Sequence, residues 1–358
     1  MTVRTLTRRL GFTRPELRRL GVFYGIIAAL HVVGWGLFLY WGSRGGPVYA
    51  GAGALAYSFG LRHAFDADHI SAVDDSTRLL MQRGREPLGT GFFFSLGHSS
   101  VVVVLALGIA TAAESVQRHI PTLQRIGGTV GATVSGTFLM VIAFLDLLIL
   151  RGIIDVWRKA KTGEYQAETL DDLMSQRGYM NRLLGGRWRR FLQDSWQMYP
   201  IGVLFGLGFD TASEVGLLAL TAAAATGKHH AGGHIGFGGI IALPLLFTAG
   251  MTLMDTTDGV FMAKAYGWAF ADPIRKLYYN LSTVALGVFV AGGIGTVEYL
   301  QVISTHTHLH GPFWSWLNGL DFELLGYVIV GAFIAFWAAS LAWYKIRRID
   351  ERYGSAAP

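Results

Sequence analysis

Eight apolar stretches, each as long as the ~20 residues that a membrane-crossing helix needs, constrain this chain more than any other feature. They lie near residues 20–42, 47–73, 88–112, 127–150, 199–226, 236–263, 277–303 and 322–344. Hydrophobic residues make up 52% of the sequence and charged residues 15%, against about a quarter charged in soluble domains, which excludes disorder and argues against a water-soluble globule. Glycine, at 47 residues with no long glycine tract, suits helices whose backbones pack closely within a bilayer. The expected fold is an all-α integral membrane protein, a bundle of eight transmembrane helices. Cysteine is absent, so disulfides, thiolate metal sites and cysteine nucleophiles are impossible. Any metal chemistry must rest on imidazole, oxygen or thioether donors.

The formal charge of +6 is a signal of orientation. Of the 30 Lys and Arg, 25 lie in alternate segments that share one side, 4 lie in the segments opposite, and Arg62 falls inside the second stretch. By the positive-inside rule both termini face the cytoplasm, and no nucleic-acid partner is needed to explain the basic balance. Thr7-Arg8-Arg9-Leu10-Gly11-Phe12 loosely resembles a twin-arginine export signal, but the stretch after it is long enough to span and lacks a clear cleavage site. The chain divides into a cytoplasmic arm (1–19), a first transmembrane half (20–150), a cytoplasmic loop (151–198), a second half (199–344) and a cytoplasmic tail (345–358). The loop is polar, and 168–184 within it has the pattern of a surface helix. It is too short for a catalytic domain.

The informative residues are those that a bilayer disfavours. Within the stretches lie Asp66, Asp68, Asp146, Asp210, Glu214, Asp255 and Asp258, with Arg62 as the one clear base. A buried carboxylate without a partner costs several kcal/mol, so protons or a bound cation must compensate. His31, His63, His69 and His98 add four imidazoles. A hard-to-borderline divalent cation with mixed nitrogen and oxygen ligands is the simplest partner. At 1.5 Å per residue, Asp66, His69, His98, Asp210 and Asp255 lie roughly 6 to 16 Å from the inner boundary, in one slab. His63, Asp66 and His69 share a broad helix face. Asp68 points elsewhere unless the helix breaks, for which Gly60 and the density of polar residues give a reason.

At these residues the chain resembles a known family. Arg62-His63-Ala64-Phe65-Asp66-Ala67-Asp68-His69-Ile70 is similar to the second-helix signature of the nickel/cobalt transporters, and Ser95-Leu96-Gly97-His98-Ser99-Ser100-Val101 to their third-helix motif. Leu207-Gly208-Phe209-Asp210-Thr211-Ala212-Ser213-Glu214, Gly250-Met251-Thr252-Leu253-Met254-Asp255-Thr256-Thr257-Asp258-Gly259 and Arg275-Lys276-Leu277-Tyr278-Tyr279-Asn280 resemble later signatures, in order. The resemblance implies a secondary permease importing Ni²⁺ and/or Co²⁺ across the cytoplasmic membrane, the metal being substrate, with neither ATP nor a permanently bound cofactor. The chain agrees in having no phosphate-binding G-x-x-x-x-G-K-[ST] segment. The implied metal residues are His63, Asp66, Asp68, His69, His98, Asp210, Glu214, Asp255 and Asp258.

The residues alone leave alternatives open. His63 and His69 can serve as interhelical hydrogen-bond glue, and His98 between Gly97 and Ser99 can mark tight packing. The pairs Asp210/Glu214 and Asp255/Asp258 repel along one helix face unless a proton or metal lies between them, and serve equally as proton sites or packing networks. Arg62 and Asp146 are most simply an ion pair, and His31 is structural. His119, His229, His230, His234, His306, His308 and His310 all fall in segments assigned to the outside, where imidazoles would collect metal before entry or play no part. Trp314 and Trp316 beside them suit an interfacial belt. A metal exporter would need the same ligands. An integral-membrane metalloenzyme would want more histidines facing the cytoplasm, and a zincin protease would need the absent H-E-x-x-H. Nickel or cobalt preference, proton coupling and oligomeric state are not written in these residues.

Overall fold

The computed structural model describes residues 12–42, 46–111, 120–161, 192–207, 237–269 and 273–346. Among the described residues all regular secondary structure is helical, without strands. Its helices are α1 (Arg14–Gly42), α2 (Gly46–His63), α3 (Ala67–Gln82), α4 (Thr90–Thr111), α5 (Ile120–Lys161), α6 (Met198–Phe205), α7 (Phe237–Ala269), α8 (Pro273–Thr307), α9 (Pro312–Asn318) and α10 (Phe322–Ile346). Five described segments are long and apolar enough to cross a membrane: Arg14–Gly42, Thr90–Gly108, Ala132–Ile154, Phe237–Gly267 and Leu281–Thr307.

The second apolar stretch departs from expectation. It is two helices, α2 and α3, separated at residues 64–66, a few residues beyond Gly60. Asp66 makes the break: its backbone is extended and its carboxylate accepts the N–H of Ala67 at 2.9 Å, capping α3. A second carboxylate, Asp68, stands in the first turn, where the positive end of the helix dipole favours it. Gly60 itself lies within α2 as a packing position. The fifth stretch begins as α6, and beyond Leu207 it lies outside the described residues.

The chain forms two compact units. One comprises residues 1–64, 88–135 and 196–260, and so holds α1, α2, α4, α6 and most of α7. Phe38, Tyr49, Ala56, Val102, Leu246, Phe247 and Met251 are buried in its core. The Tyr49 hydroxyl donates to the carbonyl of Gly239 at 2.7 Å. His31 is structural, as expected: its Nδ1 meets the Ile27 carbonyl at 2.8 Å and its Nε2 the Tyr57 hydroxyl at 3.0 Å. Pro244 inside α7 removes one backbone donor, which an apolar helix tolerates where neighbouring groups take up its acceptor. Separately, the Thr248 hydroxyl donates to Pro244's own carbonyl at 2.8 Å.

The other unit comprises residues 65–87, 136–195 and 261–358, and is organised around α3. This helix is polar in sequence yet buried over most of its length, including Ser71, Asp74, Asp75, Thr77, Arg78 and Gln82. It packs against α8 and α10. On α10, Gly326 lies so close to the turn before α3 that a Cβ there would sit 1.6 Å from the Phe65 carbonyl oxygen, and the Phe65 ring stacks on Tyr327. After α3, Arg83 Nη1 donates to the Leu192 carbonyl at 2.9 Å, and the Ser195 hydroxyl donates to that of Glu86 at 2.6 Å. Burial pushes the Arg83 guanidinium down to about 10, leaving it cationic at neutral pH.

Candidate metal centre

The histidine pair is positioned by helix backbones in contact. In the first unit α2 crosses α7, and a Cβ on Gly60 would lie 2.0 Å from the Phe247 carbonyl oxygen. Likewise α4 crosses α6, where a Cβ on Gly97 would lie 2.0 Å from the carbonyl oxygen of Tyr199 and one on Gly202 1.9 Å from that of Phe94. Only glycine permits such approach. His63 follows Gly60 by one turn and His98 follows Gly97 directly, so these crossings set the places of both imidazoles.

Both rings are buried. Their Nε2 atoms are 3.2 Å apart, and the rings meet edge to face with centroids 4.9 Å apart. Without a metal, one ring donates its N–H to the lone pair of the other. Two neutral imidazoles with lone pairs directed at one ion, at bond lengths of about 2.0–2.1 Å and an angle near 100°, would place their nitrogens about 3 Å apart. The observed separation therefore matches the edge between adjacent ligands. Phe247 flanks His63 at 5.6 Å between ring centroids, and Phe94 flanks His98 at 6.4 Å, giving the pair an apolar wall.

The remaining expected ligands divide by place. Asp255 is buried on α7 and Asp258, one turn on, is half-buried. A Cβ on Gly91 of α4 would lie 1.8 Å from the Asp255 carbonyl oxygen, so the backbone there is pressed against α4. Asp66, Asp68 and His69 gather at the start of α3 in the second unit; Asp66 and His69 are buried, Asp68 is half-buried, and the Asp68 carboxylate accepts the N–H of His69 at 2.8 Å. Asp210 and Glu214 lie outside the described residues, as do His119, His229, His230 and His234. His306, His308 and His310 are exposed at the end of α8. There α9 is tied down by Gln301 Nε2 donating to the Leu317 carbonyl and Asn318 Nδ2 to Ser304 Oγ, with Phe313 and Trp316 exposed.

One expected pairing is corrected. Asp146 bonds Arg78, not Arg62, and the same guanidinium nitrogen of Arg78 also bonds Asp75. Arg62 is exposed, with its guanidinium carbon 5.7 Å from the Phe59 ring centroid. Beside the Arg78 pair, the Tyr266 hydroxyl reaches both carboxylate oxygens of Asp74, at 2.7 and 2.9 Å. Gly287 of α8 leaves the room this network occupies: a Cβ there would lie 2.2 Å from Arg78 Nη2. Sequence reasoning missed Asp74, Asp75 and Tyr266 and assigned Arg78 to a loop, because the expected second span ended at 73 and the sixth at 263, short of them. The available signal was Asp75 three residues before Arg78, an ion-pair spacing on a continuing helix.

Comparison with known proteins adds an independent finding. The family model described as "High-affinity nickel-transport protein" matches residues 49–342. The chain is 45% identical over 356 residues to the nickel transporter NicT of Mycobacterium tuberculosis, covering 96% of this chain and 93% of that protein. It is 44% identical to the cobalt transport protein NhlF of Rhodococcus rhodochrous, covering 94% and 95%. It is 43% identical to the high-affinity nickel-transport protein NixA of Helicobacter pylori, covering 91% and 96%. No solved structure matches.

Proposed function

We propose, from the premise that the chain belongs to the high-affinity nickel-transport protein family, that it is a multi-pass secondary transporter importing Ni²⁺ and/or Co²⁺ across the cytoplasmic membrane. It is a carrier and not an enzyme. The observation that carries the reading is the buried His63–His98 pair, whose nitrogens have the spacing of two ligands on one ion. His69, also buried and six residues beyond His63, is the third imidazole, and Asp66 and Asp68 supply oxygen and negative charge. Asp210, Glu214, Asp255 and Asp258 are the acids of the second half that neutralise the ion during passage. Imidazole with carboxylate suits a borderline divalent ion, and without cysteine thiolates the site disfavours Cu⁺.

In this reading the chain crosses the membrane eight times with both termini inside, and an inside-negative potential supplies about 4.6 kcal/mol per 100 mV to a divalent cation. No ATP is required. The exposed histidines after α8 favour uptake over export, since they would gather metal at the outer face. The test is uptake into proteoliposomes under a set potential, with Ni²⁺, Co²⁺, Zn²⁺ and Mn²⁺ in competition. Ni²⁺ or Co²⁺ accumulates in response to the potential, and His98→Ala stops it. Uptake that continues undiminished in His98→Ala would remove the pair from the pathway.

A further inference from the structure

Within the unit that holds the histidine pair, four helix segments share short sequence patterns in pairs. Tyr57-Ser58-Phe59-Gly60 in α2 and Tyr199-Pro200-Ile201-Gly202 in α6 share a Tyr-x-x-Gly spacing. Phe94-Ser95-Leu96-Gly97 in α4 and Phe247-Thr248-Ala249-Gly250 in α7 share Phe-[ST]-x-Gly. Such short patterns mean little alone. The principal backbone atoms they meet, however, correspond.

A Cβ on Gly97 would meet Tyr199 O and Val203 N, and one on Gly250 would meet Tyr57 O and Leu61 N, in each case the tyrosine and the residue four beyond it. A Cβ on Gly202 would meet Phe94 O, and one on Gly60 would meet Phe247 O. The Ser95 hydroxyl donates to the carbonyl four residues back, Gly91, and the Thr248 hydroxyl does the same to Pro244, both at 2.8 Å. One turn after each tyrosine-linked glycine stands a ring: His63 faces the ring of Phe247 at 5.6 Å, and Phe205 faces that of Phe94 at 5.2 Å. The register therefore equates His63 with Phe205 and His98, directly after Gly97, with Met251, directly after Gly250. In each case the first helix of one copy crosses the second helix of the other.

We propose that α2–α4 and α6–α7 are two exchanged copies of one helix pair, and that Phe205 and Met251 hold in the second copy the places of His63 and His98. Both are buried. The molecule thus has a second, latent metal position that its own side chains keep apolar, so nitrogen ligation is confined to one copy. With eight spans, α2 and α6 run in opposite senses across the membrane and the copies are inverted, an arrangement that places a carrier's site between repeats. Phe205 and Met251 are then specificity-determining: they keep a passing ion from being caught a second time by imidazole.

This inference rests on the metal role proposed for His63 and His98, and the experiment separates the two. Full-length protein in detergent is titrated with Co²⁺, followed by visible absorption, and with Ni²⁺ by equilibrium dialysis. Phe205→His with Met251→His doubles the Co²⁺ bound per chain. His63→Phe with His98→Met loses binding, and adding Phe205→His and Met251→His to that chain restores it. A doubly substituted chain that folds and binds no more metal than the unaltered protein overturns the proposal, as does a fully exchanged chain that folds without binding. Failure of both histidine-bearing variants to fold also overturns it, because equivalent places must accept each other's residues. If the unaltered protein binds neither ion, the metal role fails, and the repeat is judged by whether the exchanged chain melts with the unaltered one.

Discussion

At the scale of single residues, the two polar centres call for opposite experiments. His63 and His98 have the spacing of ligands on one ion, so removing either should weaken metal binding by more than the roughly 10–100-fold lost when a supporting residue around a metal is changed. His98→Ala therefore loses at least about 100-fold in Ni²⁺ affinity by equilibrium dialysis while its melting temperature stays close to that of the unaltered protein. Arg78 is different: it is fully buried, and one nitrogen serves both Asp75 and Asp146. Arg78→Ala would strand two buried carboxylates, and breaking a buried pair costs about 3–5 kcal/mol. It should lower the thermal midpoint in detergent sharply, and an unchanged midpoint would show that the network is not structural. Replacing His306, His308 and His310 together tests capture at the outer face: initial uptake falls at low metal, whereas the maximal rate is retained. A lowered maximal rate would contradict the capture role.

At the scale of helices, the second apolar stretch shows what pattern alone misses. Its composition marks residues 47–73 as one span, yet a single extended residue, Asp66, divides it and begins a helix that runs to Gln82. Polar residues in α3 are legible as a cluster, but their burial depends on α8 and α10 packing against them, which local pattern does not contain. The glycine crossings are similar. Gly97→Ala forces a methyl group 2.0 Å from a backbone oxygen, which neither helix can yield without separating, whereas nothing lies within 4 Å of a Cβ at Gly36. Overpacking costs about 1–3 kcal/mol, and Ala replacing Gly in an open helix position gains about 0.5–1 kcal/mol. Gly97→Ala should therefore melt earlier and bind metal poorly, while Gly36→Ala melts at or above the unaltered protein; equal melting of the two would sink the crossing model.

At the scale of the molecule, the division of basic residues and the proposed cargo make linked statements. Tags at Gly163 and at the C-terminus should be cytoplasmic and one near His308 external, and an odd number of crossings between the two cytoplasmic tags would refute the eight-span topology. Because a divalent ion gains about 4.6 kcal/mol per 100 mV, initial uptake should rise with an inside-negative potential and fall when that potential is dissipated. Uptake indifferent to potential would mean that the transported complex carries no net charge.

The apolar periodicity, the basic asymmetry and the absence of cysteine by themselves determined a helical, membrane-suited chain in which any metal chemistry must rest on imidazole, oxygen or thioether donors. These are properties of composition and order, and no tertiary contact is needed to express them. The residues around His63 and His98 were legible because ionisable groups in apolar helices are costly and stand out against their surroundings. What only the tertiary structure decided was pairing: that His63 meets His98, that Asp146 takes Arg78 in place of Arg62, and that glycines distant in sequence bring helix backbones together. Pairing is a matter of which helix faces meet, and a helix can present the same residues to several neighbours until packing selects one.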